Sequence, residues 1–297
     1  WMKHPRGIGP EVPAPYVALR ANDREVRPWG RRYAFNELGL LECVQSQDQR
    51  WLQAAMELIG TADGKPLEWK AVDPFRLTDV QPAAARGRAE LVAGNLKIGL
   101  DAVTEYDGLV RYRLTYGPST AEAALDRLRL RVPLSASLCR FYSADGAERH
   151  WNPRANDPEK GYAHDLLPAT EGKVFDSLDR PQPTMLAPTF TGLFWLADYE
   201  TCFCYAADND QGWLLRDDAP SVEVIREGET LVLWLNLVDR PAVLSQPRTL
   251  EIAFQAGPTK PLPEKWRGIQ NGGDPEDAPL TFNLIPEAGS GYTLSGA

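Results

Sequence analysis

Apolar and polar residues alternate along several stretches of the chain, and this period of two predicts β-strands. The clearest stretches are residues 96–102, 110–116, 128–134 and 250–256. Each places its apolar side chains on one face, which is typical of antiparallel strands with the other face toward solvent. Between the first two stretches, Asp107 and Gly108 predict a hairpin turn because both tolerate positive φ.

The stretch Leu231–Val238 has apolar residues at both odd and even positions, with Asn236 as its one polar residue. Such a strand is expected to be covered on both faces, in the centre of a sheet or beneath another layer. The chain also contains 25 prolines and 24 glycines, which interrupt helices and favour turns. We therefore predict a mainly all-β protein, a large antiparallel two-sheet β-sandwich with minor helical turns.

Two segments favour helix on local grounds. In Gln49–Ile59 the apolar residues follow helical spacing, which predicts an amphipathic helix. In Ser119–Asp126, Ser119 and Glu122 have the spacing of a capping box, which predicts a helical turn.

The charge of the chain limits its partners. The formal net charge is −9 at pH 7, which argues against binding to nucleic acid unless a basic face is concentrated somewhere. Arg127, Arg129 and Arg131 do alternate along one predicted strand, and the simplest interpretation is a solvated outer face. No apolar run approaches the roughly 20 residues that span a bilayer, so no membrane segment is expected.

The four cysteines do not predict a metal site. Cys202 and Cys204 are two residues apart, so in a strand they share a face and could offer two thiolates to a metal. Zinc usually takes four ligands, and no further Cys or His pair lies nearby in the sequence. We predict that all four, Cys43 and Cys139 included, are buried and inert thiols, and we expect neither a metal nor another cofactor.

The sequence contains no strong catalytic motif. His150 and His164 flank an aromatic, acid-bearing loop, and either could in principle act as a general base. The alternative is that they are loop residues that cap turns and cover the core. We assign no catalytic residue.

The segment from residue 195 to 218 combines aromatic rings with acids and amides. Trp195, Asp208, Asn209 and Trp213 form a candidate carbohydrate site, because a sugar ring stacks on an aromatic face while its hydroxyls bond to polar groups. The alternative is a turn between strands, since Asp and Asn bond to their own backbone. On that alternative Trp213 packs on the edge of the sandwich.

Several segments together resemble the N-terminal β-sandwich of bacterial proteins similar to glycoside hydrolase family 123. They are residues 29–35, 52–58, 191–197, 208–213, 235–241, 247–250 and 254–263. The resemblance covers most of residues 12–267, and its motifs are structural rather than catalytic. It also implies that residues 52–58 are a strand, against the helical prediction above.

The resemblance implies a function for the parent protein. Members of the family cleave N-acetylhexosamine linkages by substrate-assisted retention, with an adjacent Asp-Glu pair in a following barrel domain. This chain contains no Asp-Glu dipeptide, so no catalytic residue is carried over. We expect residues 1–11 to be a tail, 12–257 a β-sandwich, and 258–297 a linker and the start of a further, barrel-like domain.

Three functional hypotheses follow. The first is a non-catalytic accessory sandwich that supports a catalytic domain acting on carbohydrate, with that domain as an intramolecular partner. The second is an autonomous carbohydrate-binding module, and the third is an enzyme that uses His150 or His164. By the resemblance, export to the periplasm or the cell exterior is expected.

Overall fold

The computed structural model describes residues 11–144, 165–179 and 189–261. Within these ranges the strands are β1 (Arg20–Asn22), β2 (Glu25–Arg27), β3 (Arg31–Phe35), β4 (Leu41–Ser46), β5 (Gln49–Arg50), β6 (Glu57–Ala62), β7 (Lys65–Pro66), β8 (Lys70–Val80), β9 (Ala84–Ala93), β10 (Leu96–Glu105), β11 (Leu109–Pro118), β12 (Ala123–Leu125), β13 (Arg127–Ser135), β14 (Phe141–Ala144), β15 (Asp165–Leu166), β16 (Gly172–Asp176), β17 (Leu193–Ala197), β18 (Cys202–Ala206), β19 (Val222–Glu227), β20 (Thr230–Val238), β21 (Ala242–Leu244) and β22 (Arg248–Gly257). Ala136–Leu138 and Ser177–Asp179 form single turns of 3₁₀ helix.

The strands form three sheets of five or more strands and one strand pair, all with antiparallel neighbours. The five-stranded sheet has the order β1-β2-β3-β4-β5, and the six-stranded sheet has the order β16-β19-β20-β13-β6-β7. The nine-stranded sheet has the order β15-β14-β17-β18-β22-β11-β10-β9-β8, and β12 pairs with β21. β22 and β20 lie inside the two largest sheets, so the last strands complete layers that the early strands began.

The nine-stranded sheet forms one layer, and the other two large sheets pack on the same face of it. From the five-stranded sheet, Phe35 stacks on Phe75 of β8 at 4.7 Å between ring centroids. From the six-stranded sheet, Phe175 packs on Phe194 of β17, also at 4.7 Å. A single cluster of buried apolar residues fills the space between the layers. The predicted antiparallel β-sandwich is confirmed.

The period-two stretches are strands with one buried face. In β10 and β11 every second residue is buried, and the two strands pair residue for residue from Leu96 with Pro118 to Thr104 with Val110. The predicted turn at Asp107 and Gly108 joins them, with Gly108 at a φ of 81°. Asp107 Oδ1 accepts a hydrogen bond from the backbone N–H of Leu109, which closes the turn.

β20 is covered on both faces, as its sequence predicted. Leu231, Leu233 and Leu235 lie in the core between the layers, and Asn236 on the other face is only 1% exposed. The side-chain amide of Asn236 donates to the Pro220 carbonyl at 2.7 Å, which satisfies part of this buried polar group.

Both helical predictions are wrong. Within Gln49–Ile59, residues 49–50 belong to β5, Leu52 makes an isolated bridge to Leu134, and β6 begins at Glu57. Ile59, which a helix would bury, is 42% exposed. The implied strand at 52–58 is present only at its end. Ser119–Asp126 contains the short strand β12, because pairing with β21 outweighs the local helical preference.

The chain divides into two compact units, Trp1–Lys260 and Pro261–Ala297. Of the second unit the structure describes Pro261 alone, so the expected domain limits stay predictions. In the part of the chain that the structure describes, no helix has the length and apolar character that crossing a membrane requires.

Candidate functional site

Trp195 lies on the outward face of the nine-stranded sheet. Its neighbours in β17, Phe194 and Leu196, are buried in the core, so the intervening Trp195 points the other way and is partly exposed. Across the strands it pairs with Ser143 and Cys204.

Asp208, Asn209 and Trp213 lie in a tight loop after β18. Asp208 is exposed, and Asn209 Oδ1 accepts a hydrogen bond from the Gln211 backbone N–H at 2.9 Å, the Asx-turn geometry of the alternative interpretation. At Gly212, with a φ of 82°, a Cβ would lie 2.0 Å from the Thr249 carbonyl oxygen. The loop is therefore pressed against the sandwich.

Trp213 belongs to the core rather than to an open surface. Its side chain is 5% exposed, and its ring meets Phe190 edge to face at 5.4 Å between centroids. The Tyr116 hydroxyl fixes the same loop by donating to the Gly212 carbonyl at 2.6 Å, and burial raises the pKa of Tyr116 to about 12. The structure thus does not bring Trp195 and Trp213 onto one surface.

His150 and His164 lie outside the described residues, so the loop they flank stays a prediction.

The cysteines occupy two kinds of environment. Cys139 and Cys204 are buried, and burial raises the pKa of Cys204 to about 12, which suppresses the reactive thiolate. Cys43 and Cys202 are partly exposed, so the prediction of four buried thiols is wrong for these two. No group of three or more Cys, His, Asp or Glu that could hold a metal occurs among the described residues.

The arginines of β13 are paired individually with carboxylates. Arg129 Nη2 lies 2.9 Å from Glu223 Oε2, and its guanidinium sits 4.0 Å above the ring of Trp234. Burial, then the charge of Arg127, lowers the pKa of Arg129, while Glu223 opposes this shift. With 15% of its side chain exposed, Arg129 is not the solvated residue that the sequence predicted.

Arg127 and Arg131, on either side of Arg129 in β13, are also paired with carboxylates, although their side chains are more exposed. Arg127 Nε lies 3.7 Å from Asp239 Oδ1. Arg131 reaches Glu57 at 3.3 Å and Glu227 at 3.4 Å. This row therefore carries its own counter-charges.

A second row of arginines crosses the outward face of the five-stranded sheet. We call it the arginine row, and its members are Arg20, Arg27, Arg32 and Arg50. Arg20 faces Arg27 across β1 and β2, while Gln45 of β4 faces both Arg32 and Arg50. Beside the row runs a groove of about 780 Å³, lined among others by Trp29, Gln47 and Asp48.

Sequence reasoning missed this row because its members belong to separate strands and come together only through strand register. The short strands β1, β2 and β5, of two or three residues each, give almost no periodic signal. The one available signal was the density of arginine between residues 20 and 50 in a chain of net negative charge.

Comparison with known families gives a match for part of the chain. Residues 19–157 match the family described as "Glycoside hydrolase 123, third domain". Over these residues the match confirms the resemblance to glycoside hydrolase family 123 seen in the sequence, whereas the N-terminal position of the domain stays a prediction. The matched range runs from before β1 to beyond β14, so it contains the five-stranded sheet and the arginine row.

Solved structures with a partly similar arrangement have very different sequences. The Slr1438 protein from Synechocystis sp. PCC 6803 has 10% identity and a TM-score of 0.44, over 84% of this chain and 97% of that one. An alpha-mannosidase from Enterococcus faecalis V583 has 8% identity and a TM-score of 0.44, over 81% and 30%. A copper-containing benzylamine oxidase from Hansenula polymorpha has 10% identity and a TM-score of 0.40, over 84% and 62%. The comparison with curated proteins gave no match.

Proposed function

We propose that this β-sandwich is a non-catalytic accessory domain of a glycoside-hydrolase-like protein, and that it supports a catalytic domain acting on carbohydrate. The observation that carries the proposal is the match of residues 19–157 to a glycoside hydrolase 123 domain. By the resemblance, the linkages handled by the parent are of the N-acetylhexosamine type.

The pairing of acids on the sheet surfaces is consistent with a non-catalytic, accessory role. A glycosidase usually needs two carboxyl groups that face one another across a substrate cleft, about 5–10 Å apart. On the large sheets described here, several acids instead pair with arginines of the same sheet. Asp79 binds Arg86 at 3.0 Å, Glu251 binds Arg113 at 2.6 Å, and Glu223 binds Arg129 at 2.9 Å. In each pair the carboxylate is bound to a guanidinium, and the two charges on the sheet surface neutralise each other.

A hydrolysis assay of the purified chain tests the proposal. We expect no release of the aryl group from aryl N-acetylhexosaminides or other aryl glycosides. The matched control is a chain in which His150 and His164 are both replaced by alanine. Hydrolysis that the double variant abolishes would contradict the accessory role and support the third hypothesis, an enzyme based on these histidines.

The alternative function is an autonomous carbohydrate-binding module that uses Trp195, Asp208, Asn209 and Trp213. The partial exposure of Trp195 and the exposure of Asp208 favour it, while the burial of Trp213 weighs against a shared platform. Calorimetric titration with neutral oligosaccharides, repeated with Trp195→Ala and Trp213→Ala, separates the cases. Binding that survives both changes would eliminate this site.

A further inference from the structure

The arginine row has fewer counter-charges than arginines. Among the described residues, Glu25 is the one carboxylate within ion-pair distance of the row: it accepts a hydrogen bond from Arg27 Nε and another from Arg32 Nε, the latter at 2.6 Å. No ion pair of Arg20 or Arg50 occurs in the described part of the chain. Asp48 lines the adjoining groove.

This arrangement costs stability unless an anion joins it. Arg20 and Arg27 lie directly opposite one another in an antiparallel pair, and like charges in that position repel. Both side chains are exposed, so solvent and salt soften the repulsion without removing it. A bound anion between them would convert a repulsive contact into an attractive one.

Glu25 also orients the guanidinium groups. It accepts hydrogen bonds from the Nε atoms of Arg27 and Arg32, and Arg32 is held further by its Nη1, which donates to Cys43 Sγ at 3.1 Å. Although burial opposes the shift, these hydrogen bonds, first from Arg27 and then from Arg32, hold the pKa of Glu25 below its ordinary value. The planar guanidinium fork matches carboxylate and sulfate groups, which can take two hydrogen bonds from it.

The groove beside the row is held in shape by its own hydrogen bonds. The Gln47 backbone N–H donates to the Gly30 carbonyl at 2.6 Å, and Arg31 Nε donates to the Trp29 carbonyl at 3.1 Å. Gly30 has a φ of 62°, and a Cβ there would lie 2.1 Å from the side-chain nitrogen of Gln47. The partly exposed ring of Trp29 and the Gln47 amide are therefore positioned before any ligand arrives.

The length of the row favours a chain over a small anion. Neighbouring strands lie about 4.8 Å apart, so a row from β1 to β5 spans roughly 19 Å. Trp29 adds an apolar face on which a sugar ring can stack, and Gln45 and Gln47 add hydrogen-bonding groups for hydroxyls. Nucleic acid fits less well, because the chain as a whole carries a net charge of −9.

We propose that the outward face of the five-stranded sheet binds an acidic oligosaccharide, whose carboxylate or sulfate groups contact the arginine row and whose sugar rings lie in the groove beside Trp29. This rests on the proposed carbohydrate function and adds the chemical class of the ligand.

Calorimetric titration of the full 297-residue chain tests it, at low ionic strength. The probes are a galacturonic acid hexasaccharide, a sulfated hexasaccharide, a neutral N-acetylglucosamine hexasaccharide and a short single-stranded oligodeoxynucleotide. At least one acidic hexasaccharide should bind and lose affinity as salt is added. Comparing the two acidic probes shows whether carboxylate or sulfate is preferred, and the neutral probe should bind more weakly.

Arg20→Ala is the key variant, because Arg20 makes no ion pair in the described residues and its loss should not unfold the chain. We expect affinity for the acidic probe to fall about fivefold or more, with a Tm that does not fall, because the variant also removes the repulsion between Arg20 and Arg27. Arg113→Ala is the matched control: it removes the same charge from an exposed position on the nine-stranded sheet and should leave the affinity unchanged.

Four results would overturn the proposal. They are no binding of either acidic probe, equal weakening by Arg20→Ala and Arg113→Ala, equally tight binding of the neutral probe, and tighter binding of the oligodeoxynucleotide. Any of these leaves the accessory role untouched, since that role is tested by hydrolysis. Conversely, hydrolysis by the purified chain would contradict the accessory role whatever the row binds.

Discussion

Two rows of arginines lie on the outward faces of two sheets in this molecule, one along β13 and one across the strands β1 to β5, and they are neutralised in different ways. In the six-stranded sheet, Arg129 has Glu223 at 2.9 Å and Arg127 has Asp239 at 3.7 Å. In the five-stranded sheet, Arg27 and Arg32 share Glu25, and Arg20 has no ion pair among the described residues. Alternating or facing arginines alone therefore do not mark a binding surface. The number and placement of the carboxylates around them distinguish a neutralised row from a face that keeps a net positive charge.

The difference extends to burial. Arg129 is covered by Trp234, and Glu223 supplies its counter-charge at 2.9 Å. Arg27 keeps 59% of its side chain exposed. Arg129 therefore belongs to the packed structure of the sandwich, whereas the guanidinium of Arg27 is open to solvent. The following predictions test this contrast, beginning with the largest expected effect.

Arg31→Met should destabilise the chain most. Arg31 is 4% exposed and points inward from the same strand as Arg32. Its guanidinium donates to the carbonyls of Ala256 at 3.3 Å and Thr259 at 2.8 Å, and so ties the end of β22 to the five-stranded sheet. Leaving these groups without donors should lower the free energy of unfolding by about 3 kcal/mol in urea titrations.

Arg32→Met is the matched control for that change, since Arg32 faces outward and bonds to Glu25. It should cost less than about 1 kcal/mol. Equal losses in the free energy of unfolding for Arg31→Met and Arg32→Met would show that the buried Arg31 contributes no more to stability than the outward-facing Arg32.

Arg129→Ala should have the next largest effect. It leaves Glu223, itself 17% exposed, without its cation and removes the contact with Trp234. We expect a loss of about 2 kcal/mol in the free energy of unfolding. Arg127→Ala, at a side chain 46% exposed, should cost less than about 0.5 kcal/mol. If Arg127→Ala lowered the free energy of unfolding more than Arg129→Ala does, the idea that this network is organised around Arg129 would be refuted.

Replacing Glu25 should give a small, pH-dependent effect. Because the pKa of Glu25 is lowered in the folded state, its contribution to stability is fully present above its unfolded pKa. That contribution is lost as pH falls through the lower, folded pKa. The stability difference between the unmodified chain and Glu25→Gln should therefore stay below about 1 kcal/mol and shrink from about pH 6 to about pH 3. If the stability difference grew on acidification, the pKa of Glu25 would be raised rather than lowered in the folded state.

The sequence predicted the fold better than the site, for physical reasons. Long strands such as β10, β11 and β20 can be recognised from the spacing of their apolar residues, because each buries one or both faces along many residues. The false helix at Gln49–Ile59 arose because Trp51 packs on Phe203 of the nine-stranded sheet, whereas Leu52 bridges to Leu134 of the six-stranded sheet. The spacing of these buried residues resembles a helical face without forming one. Local spacing does not contain that long-range information.

The candidate residues show the same limit. That Trp213 is in the core and Trp195 faces outward depends on how the loop after β18 folds back, which no local pattern reports. Likewise, Arg20, Arg27, Arg32 and Arg50 become neighbours only through the register of four strand pairings. The buried face of a single long strand was predictable from the sequence, whereas surfaces assembled from several strands were not.

The most direct test of the contrast is one pair of double variants measured by titration with the acidic hexasaccharide that binds best. Arg20→Ala with Arg50→Ala removes two positive charges from the arginine row, and Arg127→Ala with Arg131→Ala removes two from the neutralised row. We predict that the first double variant loses most of the affinity and the second keeps it. Equal affinities in the two double variants would contradict the assignment of the five-stranded sheet as the carbohydrate-binding face.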